Sequence, residues 1–165
     1  MVESFVPYLS SCQCGQVQFK AQAEPAFNVV CYCKDCQDAG QVIAPNTGSE
    51  TLLEADGGTA YSAVLDKDWV CVSGKDKLRE HKLKPDSLTS RFVATCCDSP
   101  MYLKYSKGYW TSTFRNRYTT VLPALKWRVK VSDRKSSLPY PDDIARFKGF
   151  PLRLYWGLMK AKWKR

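Results

Sequence analysis

Three tight clusters of cysteine constrain the fold of this chain more than any other feature of its sequence. They contain seven of the eight cysteines, as a CxC pair, a CxCxxC motif and an adjacent pair: Cys12 and Cys14; Cys31, Cys33 and Cys36; Cys96 and Cys97. Thiolate is a soft ligand that suits Zn²⁺, and zinc sites are commonly four-coordinate and tetrahedral. The clusters therefore predict one or two zinc ions that pin distant parts of the chain together.

Counting the sulfurs separates two types of site. Structural zinc usually has four protein ligands, whereas catalytic zinc has three and an open position. The CxCxxC motif has no obvious fourth ligand nearby, so it predicts an open zinc site, and the CxC and CC pairs predict a separate structural site. His81, the lone histidine, is predicted on a surface strand and Cys71 in the core. The alternatives are purely structural zinc at every cluster, or free buried thiols that act as small hydrophobes.

The use of cysteine also bears on the compartment. The N-terminus lacks a basic region followed by an apolar region, which argues against a signal peptide. Apolar runs are far shorter than the roughly 18 residues that a membrane span needs. These features predict a cytoplasmic protein, in which clustered cysteines bind metal rather than form disulfides. The formal net charge of +9 favours anionic partners.

The hydrophobic pattern indicates a mainly β fold. Short alternating or apolar runs separated by turn residues are typical of an antiparallel sheet or barrel. The predicted strands cover residues 16–20, 27–30, 61–65, 69–74, 78–83, 90–97, 100–105 and part of 121–131. A short helix is predicted over residues 34–40, and most of 37–58 is predicted as loop. The predicted organisation is a zinc-binding β domain over 1–131, a linker over 132–143 and a basic amphipathic segment over 144–165.

Two segments combine aromatic and basic residues. A C-terminal helix would place its apolar residues on one face and basic residues around it: Leu152, Leu154, Tyr155, Leu158, Met159 and Trp163; Arg153, Lys160, Lys162, Lys164 and Arg165. Such a helix either binds a membrane surface or partner, or packs on its own domain. Residues 109–118, YWTSTFRNRY, either stack bases or ligands, or supply strand-face aromatics around a pocket.

The order of these motifs resembles that of the glutathione-dependent formaldehyde-activating enzyme (GFA) family, which includes the centromere-protein-V-like proteins. The family pattern is a CxCG turn before a strand, then CxCxxC, then a CxxCGSP-like turn after an Arg-x-Phe strand. This chain has CQCG at 12–15, CYCKDC at 31–36, and Arg91, Phe92 and CCDSP at 96–100. The resemblance runs from about residue 10 to about residue 131.

The resemblance implies an Mss4-like fold, a β-tent of twisted antiparallel sheets pinned by zinc. It also implies a structural zinc on the CxC pair and the late cysteine turn, and a second zinc with an open position on Cys31, Cys33 and Cys36. The reaction proposed for the founding enzyme is condensation of glutathione with formaldehyde to S-hydroxymethylglutathione, described in reverse as carbon–sulfur lyase chemistry.

The late turn departs from the family pattern. Ala94 stands where the first cysteine is expected, Cys96 is an additional cysteine beside Cys97, and Asp98 replaces the usual glycine. Adjacent residues of an extended chain point to opposite faces. Three outcomes follow: Cys96 is the fourth ligand in a rearranged turn, the structural site has only three sulfurs, or it holds no ion.

Two functions are compatible with these motifs. The first is a zinc-dependent carbon–sulfur lyase acting on glutathione–aldehyde or related thiol adducts, with Cys31, Cys33 and Cys36 acting through the metal and with glutathione or its adduct as partner. Lys34 or Arg91 would offset the negative charge of the thiolates, unless both are solvated surface charges. The alternative is a non-catalytic zinc-stabilised module that binds nucleic acid or an anionic membrane through its basic C-terminus.

Overall fold

The strands of the chain assemble into two sheets. The computed structural model describes residues 5–43 and 51–164. Within those residues the strands are β1 Tyr8–Ser11, β2 Gln18–Ala21, β3 Phe27–Cys31, β4 Thr59–Leu65, β5 Trp69–Ser73, β6 Leu78–His81, β7 Thr89–Ala94, β8 Ser99–Tyr105, β9 Trp110–Phe114, β10 Trp127–Val129 and β11 Ala145–Phe147. The helices are α1 Lys34–Ile43 and α2 Leu152–Trp163.

The two sheets differ in size. The smaller has the order β1-β2-β5, and the larger has the order β11-β10-β3-β4-β9-β8-β7-β6. Neighbouring strands are antiparallel except at β10, which is parallel to both β3 and β11. The prediction of a mainly β fold of twisted sheets with a C-terminal helix is therefore confirmed. The parallel pairing was not predicted, because it depends on long connections that leave no local pattern.

The centre of the larger sheet is covered on both faces. All seven residues of β4 and all five residues of β3 are buried. Helix α2 covers one face, where Leu154 and Leu158 pack into a core that includes Phe27, Tyr61 and Val129. The C-terminal helix thus packs on the sheet through one face, as the second interpretation of that segment expected.

A glycine allows α2 to approach the sheet closely. A Cβ atom at Gly157 would lie 2.8 Å from the backbone oxygen of Ala26, which is closer than real Cβ contacts. Because Ala26 directly precedes β3, the absence of a side chain at Gly157 sets how near the helix lies to this strand.

The segment predicted as a linker is held by a buried charge network. Arg128, on β10, pairs with Asp56 (Nη1 to Oδ2, 3.1 Å) and with Asp142 (Nη2 to Oδ2, 2.7 Å). The Arg134 guanidinium lies over the Tyr140 ring, 4.2 Å from its centroid. These contacts join residues 132–143 to the β domain. The domain boundaries themselves stay a prediction.

Helix α1 is longer than predicted. It continues through Gly40 to Ile43, so residues 37–43 are helical rather than loop. Gly40 was taken as the end of the helix, but a Cβ atom there would lie 2.3 Å from Cγ of Leu53, so this glycine serves packing instead. Residues 44–50 of the predicted loop, and Arg165 of the basic segment, lie outside the described residues. Across the described ranges, no helix is both long and apolar enough to cross a membrane.

Candidate metal centres and the adjoining pocket

The CxC and CC pairs meet at one point, although more than 80 residues separate them in sequence. The sulfur atoms of this four-cysteine cluster all lie within 4.8 Å of one another: Cys12, Cys14, Cys96 and Cys97. Individual Sγ–Sγ distances include 3.6 Å for Cys12–Cys14, 3.3 Å for Cys14–Cys96 and 3.8 Å for Cys12–Cys96. A tetrahedral ion with Zn–S bonds of about 2.3 Å requires sulfur separations of about 3.8 Å. The donor set therefore fits one tetrahedral metal ion.

Two turns bring these sulfurs together. The turn after β1 contains Gly15 at φ +80°, and the turn between β7 and β8 contains Asp98 at φ +55°. Aspartate is one of the residues that tolerate this left-handed conformation, which explains how it stands in for the family's glycine. Ala94 ends β7, so the chain turns before both Cys96 and Cys97. The structure brings the Cys96 sulfur into the cluster, as the outcome with Cys96 as fourth ligand requires.

In the four-cysteine cluster, hydrogen bonds favour thiolate at Cys97, whereas burial and the neighbouring thiols raise the pKa of Cys96 to about 12. The backbone N–H of Val17 donates to Sγ of Cys12 at 3.2 Å. Burial disfavours ionisation of Cys97, but hydrogen bonding, first from the Ser99 hydroxyl, outweighs it and lowers the pKa of Cys97 to about 6. Ser99 Oγ also accepts from the backbone N–H of Gln13 at 3.0 Å, which links the two turns.

The CxCxxC motif forms a second group, the three-cysteine cluster. Cys31 ends β3, Cys33 lies in the connection and Cys36 is in the first turn of α1. Their sulfurs lie within 4.8 Å of one another, with Cys31 and Cys36 buried and Cys33 half-buried. Among residues 5–43 and 51–164, no histidine, carboxylate or further cysteine completes this group. It can hold a metal ion and leave one coordination position open.

Hydrogen bonding among the three thiols favours a single thiolate, at Cys33. Hydrogen bonding from Cys31 and then Cys36 lowers the pKa of Cys33 to about 3, despite partial burial. The same hydrogen bond raises the pKa of Cys31 to about 12, because Cys31 is then the donor. The arrangement stabilises thiolate at Cys33 before any metal binds.

A buried arginine lies beside the three-cysteine cluster. Arg91 is only 2% exposed, and its Nη2 donates to the backbone oxygen of Asp35 at 3.0 Å. Its Nη1 is buried and has no hydrogen-bond partner in the described part of the chain. The positive charge of Arg91 also helps to lower the pKa of Cys33. Interpreting Arg91 as a solvated surface charge is therefore wrong. Arg91 lies two residues before Val93, on the same buried face of β7. This position predicts burial, but the charge of the side chain favoured the surface instead.

Lys34 differs from Arg91. Its side chain is 74% exposed and pairs with Asp38 one helical turn later. It is therefore a solvated charge, as one interpretation expected, and Arg91 is the cation placed to offset the thiolates.

A pocket of about 350 Å³ adjoins the three-cysteine cluster. Its walls come from strands of the larger sheet and from both helices. The lining residues are Phe27, Cys31, Cys33, Asp35, Cys36, Tyr61, Thr89, Arg91, Leu103, Tyr105, Trp110, Ser112, Phe150, Leu154 and Tyr155. Burial raises the pKa of Tyr61, and the neighbouring thiols add to that shift, so its hydroxyl stays protonated. The sequence motifs identified the cysteines of this pocket but not the helix that covers it.

The aromatic-basic segment 109–118 contributes to the pocket rather than to an exposed surface. Trp110 lines the pocket from β9. The Arg115 guanidinium donates to Oδ1 of Asn28 at 2.8 Å, and Arg117 is buried and donates to Oγ of Ser99 at 3.2 Å. These internal contacts support the interpretation of the segment as strand-face aromatics around a pocket.

The two remaining candidates, His81 and Cys71, belong to neither cluster. His81 is half-buried at the end of β6, opposite Arg91 in the strand register. Cys71 is half-buried on β5 and packs against the core that contains Phe19 and Met101. Neither belongs to a metal-binding group in the described residues.

Comparisons with known proteins give a family and similar solved structures. The model of the family described as glutathione-dependent formaldehyde-activating enzyme (GFA) matches residues 7–116. No curated protein matches the chain. A crystal structure of a Rhodobacter sphaeroides protein is similar at 15% identity, with a TM-score of 0.49, covering 70% of this chain and 91% of that one. The matched region contains all seven clustered cysteines and ends before β10 and α2.

Proposed function

The chain belongs to the glutathione-dependent formaldehyde-activating enzyme family, and from that membership we propose that it is a zinc-dependent carbon–sulfur lyase acting on thiol–aldehyde adducts. One observation carries the proposal: the three-cysteine cluster borders a pocket, whereas the four-cysteine cluster has a complete tetrahedral donor set. The proposal assigns structural zinc to the four-cysteine cluster and catalytic zinc to Cys31, Cys33 and Cys36.

The donor sets support the choice of zinc. Both groups consist of cysteine sulfurs alone, and soft thiolates select zinc over hard cations such as Mg²⁺ or Ca²⁺. When bound, Zn²⁺ acts as a Lewis acid and favours the thiolate form of a substrate thiol. Three thiolates and a divalent cation carry a net charge of −1, which the buried Arg91 guanidinium balances.

The pocket residues account for the remaining requirements of the reaction. In an adduct RS–CH(OH)R′, the hydroxyl loses its proton, the carbon–oxygen double bond forms, and the C–S bond breaks with its electron pair going to sulfur. Asp35 is the one carboxylate among the described lining residues, and we assign it the acceptance of that proton. The Tyr61 hydroxyl, which stays protonated, hydrogen-bonds Cys31 and so supports one of the sulfurs that would hold the metal at the edge of the pocket. The products are a thiolate and an aldehyde.

Metal stoichiometry tests this assignment. We expect about two zinc ions per wild-type chain, one per Cys33→Ser chain, and near-wild-type thermal unfolding of that variant. Wild type should cleave S-hydroxymethylglutathione, and Cys33→Ser should not. Asp35→Asn should retain both ions and lose activity by about a hundredfold, as expected for a missing proton acceptor. A single ion in wild type, or unfolding of Cys33→Ser, would contradict the proposal.

The outer face of α2 supports a second candidate function, binding to an anionic membrane. This face consists of exposed apolar residues at helical spacing: Leu152, Trp156, Met159 and Trp163. Seven of the 25 basic residues and none of the 16 acidic residues lie within 144–165. Basic residues that flank exposed tryptophans are typical of helices that lie in a lipid interface. The exposed leucine and methionine favour lipid over nucleic acid as the partner.

Vesicle sedimentation tests the second candidate. The protein should sediment with vesicles of phosphatidylserine and phosphatidylcholine, and release at 0.5 M salt, because each basic residue near such a surface contributes about 1 kcal/mol. A double variant, Trp156→Ala with Trp163→Ala, should weaken sedimentation, and Val121→Ala, an equally apolar exposed site elsewhere, should not. Equal binding to neutral vesicles, or binding to duplex DNA instead, would contradict it.

A further inference from the structure

The pocket beside the three-cysteine cluster has few charges on its walls. Arg91 and Asp35 are the charged residues among its described lining. Nη2 of Arg91 donates to the backbone of α1, and Nη1 is buried without a hydrogen-bond partner among the described residues. Enclosing a charged group without a partner is strongly unfavourable. Because Arg91 is already assigned to balance the metal and its three thiolates, the described lining offers no further cation for the two carboxylates of glutathione.

Aromatic and branched side chains form most of the remaining wall. Trp110 and Tyr105 lie on the side of β8 and β9, and Phe27 lies on β3. Apolar pockets with a few placed polar groups bind ligands mainly through apolar contact. An apolar cavity of about 150 Å³ is enough to hold a benzene ring. The 350 Å³ here is enough for an aryl or branched alkyl group together with the reacting carbon and sulfur.

Part of this wall lies outside the region that the family model matches. Helix α2 contributes Leu154 and Tyr155, and the loop before it contributes Phe150, whereas the family match ends at residue 116. Leu154 is buried in the same core as β3, and Gly157 lets the helix lie close to Ala26. The apolar wall from α2 is thus a fixed part of the pocket in this chain.

We propose that the pocket selects thiol adducts with an aromatic or branched apolar substituent, in preference to the polar adduct of glutathione and formaldehyde. The inference rests on the proposed function, and it adds the substrate class. The reaction is cleavage of a hemithioacetal: the C–S bond breaks, the hydroxyl proton leaves, and a thiol and an aldehyde result without an oxidant or reductant. Tyr155 is the specificity-determining residue, because it borders the pocket from its half-exposed side.

Binding of simple thiols to the metal-loaded full-length protein tests the inference by titration calorimetry. Benzyl mercaptan should bind at least about tenfold more tightly than glutathione, the gain expected for burying one phenyl group. Tyr155→Ala should weaken benzyl mercaptan about fivefold and leave glutathione affinity and zinc content unchanged. Trp156→Ala is the matched control, since the two residues are similarly exposed, at 53% and 49%, and Trp156 does not line the pocket.

The outcomes separate this inference from the proposed function. Equal or tighter binding of glutathione, or equal effects of Tyr155→Ala and Trp156→Ala, would overturn the apolar selectivity. If S-hydroxymethylglutathione were nevertheless cleaved, the lyase assignment would stand without it. Conversely, tight binding of benzyl mercaptan that depends on Tyr155, with no cleavage of its formaldehyde or benzaldehyde adduct, would support the selectivity and contradict the lyase.

Discussion

Replacing Leu158 with alanine tests whether α2 is an integral part of the domain. Leu158 is 2% exposed and packs against the core of β3, β4 and β10. The change removes three carbon atoms, worth about 2.4 kcal/mol in transfer free energy. The cavity left behind raises the expected loss to about 3–4 kcal/mol, within the range measured for buried leucines. For a domain of this size, that loss lowers Tm by roughly 6–16 °C.

Urea unfolding followed by tryptophan fluorescence and by circular dichroism measures this loss. If α2 unfolds with the sheet, both signals should give the same midpoint, and Leu158→Ala should lower that midpoint without changing the m-value. Leu152→Ala makes the same chemical change on the same helix at a position that is 85% exposed. We expect this control to alter the free energy of unfolding by less than about 0.5 kcal/mol.

Two results would refute the reasoning. A loss below about 1 kcal/mol for Leu158→Ala would mean that α2 does not pack as described. Separate transitions for the two signals would mean that the C-terminal segment unfolds independently of residues 1–131. Either result would also remove the fixed wall on which the substrate inference depends, because Leu154 lines the pocket from the same helix.

Three further predictions concern the backbone, the charge network and the metal. Gly157→Ala should destabilise the protein although alanine has the better helix propensity, because the new Cβ atom would clash with the backbone oxygen of Ala26. Gly149→Ala is the control: its new Cβ atom has no neighbour within 4 Å, so the free energy of unfolding in the same urea assay should not change. Hydrogen bonding to Arg128 lowers the pKa of Asp142, so its contribution to stability should be complete above its unfolded pKa of about 3.9 and decline at lower pH. Asp142→Asn should accordingly have a shallower fall of Tm below pH 4 than wild type. Prolonged treatment with a strong chelator should lower Tm, because metal at the four-cysteine cluster joins the turn after β1 to the turn before β8; an unchanged Tm after complete metal removal would contradict that structural role.

The sequence predicted the parts of this fold that depend on local pattern. The strands at 61–65 and 69–74 lie close to β4 and β5, because alternation and flanking turn residues are short-range signals. The predicted strand over 90–97 is interrupted after Ala94, where the cysteine turn begins. The spacing of the cysteines in the sequence predicted both metal-binding groups, because the geometry of a metal site allows only a few spacings between its ligands. Strands β1 and β11 were not predicted, because they are short edge strands with little burial and so give no clear alternation.

Long-range features of the site were not predictable in the same way. The sequence offered Arg91 as a candidate partner of the thiolates but gave no means to choose between that position and the surface. The position of α2 over the pocket depends on an approach between Gly157 and Ala26, which are more than 100 residues apart. The helical spacing of the C-terminal apolar residues correctly included Leu154 and Leu158, which are buried. It did not indicate that the helix covers the pocket.

The two cysteine clusters offer the same ligand in different surroundings, and the roles that we propose for them follow from that difference. The four-cysteine cluster draws on two turns far apart in sequence, so a metal ion there closes a long loop and restricts the unfolded chain. The three-cysteine cluster comes from six consecutive residues, Cys31 to Cys36, and closes almost no loop. A metal ion at the second cluster therefore adds little to the stability of the fold. Its buried Arg91 and its adjoining pocket instead match what a bound thiol needs, which is why we assign stability to the first cluster and chemistry to the second.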